Sequence, residues 1–174
     1  GAMQGLFELA DIAYVGCDVA ASSMGIDKVI CKKVISTAGV PVLEDIWFSK
    51  RKWLKNKKEI LKSVETELKF PVYIKPVRLG SSIGVQRANN KVELENAIEV
   101  ALFYDTKVMV EQGLENAKEV NISIMGNDPY ELSVCEQPVA TSEILSFEDK
   151  YVSEKGSLKG MAGAKRIIPA LIKK

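Results

Sequence analysis

The sequence predicts an α+β fold, with helices and strands intermixed and some strands paired antiparallel. Helical spacing of apolar residues recurs through residues 26–38, 60–68 and 94–102, with short β-type runs between. Residues 118–139 read as two strands joined by Gly126-Asn127-Asp128-Pro129, an antiparallel hairpin. The length, 174 residues with 47% hydrophobic and 27% charged, suits a soluble globular chain with a real core.

Gly1-Ala2-Met3 has the look of a tag-cleavage scar and is set aside. Gln4 to Ala10 can form a short helix with Leu6, Phe7 and Leu9 inward, and Ala13-Tyr14-Val15 reads as a brief strand. Asp18 is suited to cap one helical turn. Ile26, Val29, Ile30, Val34 and Ala38 then make one helical face, with Lys28, Lys32 and Lys33 on the surface, until Gly39 and Pro41 stop the helix. A strand is expected from Val42 to Phe48, and the basic cluster Lys50 to Lys58 reads as a solvated helix entrance. Helix continues from Ile60 to Leu68 and breaks at Phe70-Pro71. Asn90 and Glu93 form a start signal for a helix whose inward face is Leu94, Ala97, Ile98, Ala101 and Leu102. Lys107 to Glu111 is a strand ending in a carboxylate at a Gln112-Gly113-Leu114 bend. Lys118 to Met125 alternates, Val120, Ile122 and Ile124 on one face, and Tyr130 to Val139 returns beside it. Residues 141–164 lose periodicity, as functional lids and disordered segments do, and residues 165–169 return to a sheet.

Composition removes several chemistries. The chain has no histidine, which excludes Ser-His-Asp and Cys-His nucleophile pairs and His-ligated metals within it. Cys17, Cys31 and Cys135 are widely spaced and read as reduced thiols. A net charge of +1 gives no global reason to expect nucleic acid or an anionic membrane as partner. No apolar run approaches the roughly 18 residues of a membrane span and no signal peptide opens the sequence, so the expected location is the cytoplasm.

One stretch resists explanation by packing. Lys75 lies inside the apolar run Tyr73-Ile74-Lys75-Pro76-Val77, followed by Arg78-Leu79-Gly80-Ser81-Ser82-Ile83-Gly84. An ammonium in an apolar strand must reach water or meet an anion, and glycine-bent backbone with serine hydroxyls supplies phosphate-type donors. The plain alternative is a β-hairpin with a flexible turn and a surface lysine. No Gly-Lys pair exists for a Walker loop, and Gly160 and Gly163 do not open a dinucleotide fold. A nucleotide site would therefore be assembled from separated parts.

Asp27-Lys28, Tyr73-Ile74-Lys75-Pro76, Leu79-Gly80-Ser81-Ser82-Ile83-Gly84, Val110-Glu111-Gln112, Glu119-Val120 and Asp149-Lys150-Tyr151 resemble, in order and spacing, the D-alanine–D-alanine ligases of the ATP-grasp superfamily. The resemblance runs from Gln4 to Pro169. It implies a partial ATP-grasp fold: a remnant of the N-terminal domain (4–25), the central subdomain (26–112), and the first part of the C-terminal subdomain with its lid loop (113–174). It implies that Lys28 and Lys75 contact the α- and β-phosphates of ATP, and that Ser82 and the backbone of the Ser81 loop cover the transferred phosphate. Ser81 and Tyr151 would hold the substrate carboxylate. Glu111 would accept from the adenine amino group, the backbone of Gln112 and Leu114 would read the base edge, Glu119 would bind the ribose, and Lys150 would reach the γ-phosphate.

The implied activity is ATP-dependent ligation of D-alanine through an acylphosphate, a step in peptidoglycan precursor synthesis. The implied parent is a cytoplasmic homodimer using Mg²⁺ whose ligands lie outside this chain, and the chain itself is expected to be inactive. Two features depart from the pattern. The Glu115-Asn116-Ala117-Lys118 turn is one residue longer than expected, and the lid from Ser153 to Arg166 is longer and more basic. A free-standing nucleotide-binding or regulatory module is the alternative, and an RNA-binding fragment built on Lys50 to Lys58 is a third.

Overall fold

A computed structural model describes residues 1–139 and 166–172. The chain forms two units, Gly1–Gly113 and Leu114–Lys174. The first contains helices α1 (Ala2–Leu9), α2 (Val19–Ile26), α3 (Lys28–Thr37), α4 (Lys50–Glu67) and α5 (Lys91–Tyr104). Its strands are β1 (Asp45–Ser49), β2 (Val72–Pro76), β3 (Gln86–Ala88) and β4 (Lys107–Gln112), an antiparallel sheet in the order β1-β4-β2-β3.

Strand alternation sorts this sheet's residues into two faces. Phe48, Val72, Ile74, Ala88, Val108 and Val110 point toward α4 and α5 and form the main core with Trp53, Ile60, Leu61, Val64, Leu94, Ala97, Ile98, Ala101 and Leu102. All five apolar positions expected on the inward face of α5 are thus buried. Its start is also as expected: the Asn90 side chain accepts from the Glu93 N–H at 3.0 Å. The basic cluster lies in α4, a helix with a kink at Asn56, and its Trp53 is buried against Phe48 with ring centroids 5.7 Å apart.

The opposite face carries Val77 and Met109, covered by Val29 of α3, and beside them a row of charged side chains. Here the helix expected over 26–38 is broken. Asp27 leaves helical geometry and its carboxylate accepts from the N–H groups of Val29 and Ile30 at 3.1 and 3.0 Å, so α2 stops and α3 restarts. Of that expected face only Val29 is buried, while Ile26, Ile30 and Val34 are exposed. Asp18 caps the whole of α2, accepting from Ala21 N–H at 2.7 Å.

Other differences follow from missing partners. Ala13-Tyr14-Val15 pairs with no strand among the described residues, and the Tyr14 hydroxyl donates to Glu8 at 2.9 Å instead. Helix α1 includes Ala2 and Met3, two of the residues set aside as a scar, and Leu6 and Leu9 are exposed rather than inward. Strand β1 begins at Asp45 rather than Val42.

The second unit contains β5 (Ile124–Met125) and β6 (Glu131–Leu132), the expected antiparallel hairpin but shorter, and β7 (Gln137–Pro138) paired with β8 (Arg166–Ile167). The long alternation from Lys118 is realised as strand at its last two positions and as an isolated bridge between Asn121 and Glu136. None of the described residues of this unit is buried, so alternation had no core to order it.

Candidate functional site

In the β1–β4 register Asp45 lies directly opposite Glu111, and in β2–β4 Glu111 lies opposite Tyr73 and Lys75 opposite Met109. Alternation therefore sends Asp45, Tyr73, Lys75 and Glu111 to the α3 side of the sheet. Two facing carboxylates repel. The ammonium of Lys32, reaching from α3, sits between them at 2.7 Å from Asp45 Oδ1 and 2.8 Å from Glu111 Oε1. Lys32 also donates to the Leu43 carbonyl at 2.5 Å, and Lys75 pairs with the other Glu111 oxygen, Oε2.

The four charged side chains are 12–24% exposed, so solvent screens them poorly. Burial acts to raise the Glu111 pKa, but the Lys75 charge and the hydrogen bonds from Lys32 and Lys75 outweigh it and hold the carboxyl below its ordinary value. For Lys32, burial acts to lower the pKa and is overcome by the bonds to Asp45 and Glu111, which raise it.

The Gly/Ser loop that follows β2 is fastened at three places. Lys28 donates from Nζ to the carbonyls of Pro76, Val77 and Leu79 at 3.0, 3.3 and 2.5 Å, while its backbone N–H donates to Val77 at 3.1 Å. Asp105, at the turn between α5 and β4, accepts from the Arg78 N–H at 2.8 Å and from its guanidinium at 2.5 Å. Gly84, at φ +69°, brings its backbone against Tyr104 and Pro76, where a β-carbon would lie 2.7 and 2.8 Å from their side chains. Between these anchors Ser81 and Ser82 both hold left-handed backbone, at φ +52° and +59°. Consecutive non-glycine residues in that region cost of order 1 kcal/mol each and collect at functional sites.

The expected residues fall into three groups. Lys28, Lys75, Ser81, Ser82, Glu111 and Gln112 belong to the first unit, where Lys28, Lys75 and Glu111 share one side of the sheet. The Gln112 side chain bonds both ways to the backbone of Lys69, accepting and donating at 2.8 Å, and its backbone N–H donates to Glu44. Leu114 and Glu119 are exposed residues of the second unit. Lys150 and Tyr151 lie outside the described residues.

Lys32, placed on the surface by sequence reasoning, is instead nearly buried between two carboxylates. Its spacing carried the signal: it stands four residues after Lys28, hence on the same helical face. Asp45 and Asp105 were also missed. Both are short polar residues at strand and helix ends, where solvated caps are the ordinary reading.

The donor set suits a polyanion. Lys28 has its pKa lowered first by burial and then by the neighbouring Lys75 charge, a repulsion that a phosphate between them would relieve. Beside them Glu111 is an ionised acceptor fit for an amine. Among the described residues no group of three or more Cys, Asp or Glu side chains gathers as a metal ion requires.

Comparison with known proteins gives a consistent answer. Residues 34–173 match the family described as D-ala D-ala ligase C-terminus. The D-alanine–D-alanine ligase of Heliobacterium modesticaldum is 36% identical over 172 residues, 99% of this chain and 44% of that protein. That of Staphylococcus carnosus is 38% identical over 158 residues, 91% of this chain and again 44% of the relative. Among solved structures, the VanG D-Ala:D-Ser ligase of Enterococcus faecalis superposes with TM-score 0.80 at 35% identity, covering 99% of this chain and 47% of that one. The D-alanine–D-alanine ligase of Coxiella burnetii gives TM-score 0.70 at 28% identity, covering 82% and 42%. The chain spans less than half the length of the relatives it matches.

Proposed function

The chain belongs to the D-alanine–D-alanine ligase family and carries part of the ATP-grasp fold, and from that premise we propose that it is the ATP-binding portion of a ligase joining D-alanine to a second D-amino acid. The observation that carries this is the grouping of Lys28, Lys75 and Glu111 on one side of the sheet, with a fastened loop holding Ser81 and Ser82 in left-handed backbone.

In this reading Lys75 and Lys28 neutralise the α- and β-phosphates, and Ser82 with the Ser81 backbone covers the γ-phosphate. Ser81 and Tyr151 hold the D-alanine carboxylate, Lys150 reaches the γ-phosphate, and Glu119 binds the ribose. Glu111 accepts from the adenine amine while the backbone of Gln112 and Leu114 reads the base edge. A carboxylate oxygen of D-alanine attacks the γ-phosphorus, releasing ADP and leaving an acylphosphate. The amine of the second amino acid then attacks the acyl carbon, releasing phosphate and forming the peptide bond. Phosphoryl transfer needs positioning and charge neutralisation more than covalent participation, which suits a site of lysines and amides without histidine. Mg²⁺ would accompany ATP, and the reaction belongs to cytoplasmic synthesis of peptidoglycan precursors by a homodimeric parent.

The test is calorimetric titration of Mg²⁺-ATP into the chain and into its Lys75→Ala and Glu111→Ala variants. The two variants are expected to bind at least about tenfold more weakly, since each loses a charged hydrogen bond. Equal affinity in all three would overturn the assignment. In the parent, D-serine offered against D-alanine as acyl acceptor decides between the activities that the relatives' names record.

A further inference from the structure

Glu111 divides its carboxylate between two unlike cations. Oε1 takes Lys32, whose three ammonium donors are all committed, to Leu43, Asp45 and Glu111. Oε2 takes Lys75, which extends from β2 immediately before the Gly/Ser loop, 6.0 Å from the Tyr73 ring centroid. Lys32 is therefore held by the frame of the first unit. Lys75 is a long chain with one carboxylate partner among the described residues, and it sits where a phosphate would compete for it.

We propose that Lys32 is a positioning residue for nucleotide-base selection: it grips Glu111 through Oε1 and keeps it ionised, so that Oε2 can exchange Lys75 for the exocyclic amine of a 6-aminopurine. This rests on the nucleotide reading above. The groups that face Glu111 set the charge arithmetic: Lys28 and Lys32 from α3, Asp45 from β1, and Tyr73 and Lys75 from β2. With both Lys32 and Lys75 in place the two carboxylates are balanced. When Lys75 turns to a phosphate, Lys32 remains between Asp45 and Glu111 and holds Glu111 as a pure acceptor. Without Lys32 the same turn leaves two facing carboxylates with no ammonium between them, and Glu111 must take up a proton. A protonated carboxyl can donate, so it tolerates a 6-oxopurine that an ionised one rejects. A merely structural lysine would weaken both nucleotides alike.

The experiment compares Mg²⁺-ATP and Mg²⁺-ITP binding by calorimetry in the wild-type chain and Lys32→Met at pH 6 and pH 8. The wild type is expected to prefer ATP by roughly ten- to hundredfold at both pH values, the worth of a charged hydrogen bond. Lys32→Met is expected to lose most of that preference at pH 6, with ITP binding gained relative to ATP. An unchanged ATP-to-ITP ratio in Lys32→Met, beside tight ATP binding by the wild type, overturns the inference and leaves the nucleotide reading intact. A wild-type chain that binds neither nucleotide overturns both. If Lys32→Met does not fold, Lys32→Gln carries the same expectation, because its neutral amide can still hydrogen-bond Leu43 and Glu111 but leaves Asp45 and Glu111 facing each other with no ammonium between them.

Discussion

Replacing Gly84 by alanine should loosen the phosphate-type loop and destabilise the first unit together. Gly84 has φ +69°, and a β-carbon there would lie 2.7 Å from Tyr104 Cδ2 and 2.8 Å from Pro76 Cγ. An L-residue in left-handed backbone costs about 1–2 kcal/mol. Forcing a methyl against packed neighbours costs about 1–3 kcal/mol more. Tyr104 is half-exposed and can swing aside, but Pro76 is a ring fixed in β2 and cannot. The expected loss is therefore about 2–5 kcal/mol, the sum of the two ranges. Urea unfolding followed by tryptophan fluorescence measures it, because both tryptophans, Trp47 and Trp53, lie in the first unit. Adding Tyr104→Ala should recover under half of the loss, since the backbone and Pro76 contributions remain. A Gly84→Ala chain within 0.5 kcal/mol of wild type, a bound of the order expected for neutral surface changes, would refute the claim that this contact holds the loop.

Further expectations test separate parts. Lys28→Met removes the donor to three loop carbonyls, so hydrogen exchange at residues 79–85 should quicken and ATP affinity fall about tenfold; unchanged exchange would show that Lys28 does not anchor the loop. Leu94→Ala empties the centre of the main core and should cost about 2–5 kcal/mol in the same urea assay, without altering the ATP-to-ITP preference of whatever remains folded. The carboxyls of Asp27, Asp105 and Glu111 face burial that would raise their pKa values, yet hydrogen bonds from the Ile30 N–H and Lys107 to Asp27, hydrogen bonds from Arg78 to Asp105, and the Lys75 charge beside Glu111 hold all three below ordinary values. Their folded values lie below unfolded ones of about 4, so their stabilisation is present above that pH and is lost as pH falls through the folded values. Acid titration of stability should therefore show a loss below about pH 4 that is shallower in Asp105→Asn, and an identical slope in the variant would remove Asp105 from that account.

Much of the first unit was legible in the sequence. Helix α5, its Asn90 cap and strands β2 and β4 were read from local periodicity and capping, and the structure keeps them. The charged face was legible in part. Lys75 and Glu111 stood out because a charge inside an apolar run needs a reason. Lys32 did not, because a lysine among lysines on an amphipathic helix reads as solvated, and nothing local says which side of α3 meets the sheet.

What the sequence determined by itself was the alternation of apolar and polar positions, the turn chemistry of Gly80 to Gly84, the absence of histidine, and an ordered set of motifs that places the chain in its family. The tertiary structure decided which distant residues share a charge. Asp45, 66 positions before Glu111 in the numbering, meets it directly because β1 pairs with β4, and Lys32 is drawn between them because two facing carboxylates at the edge of a core must share a cation. Register and helix docking are long-range properties, set by which apolar faces bury one another. Local spacing therefore identified candidate charges without saying how they were paired.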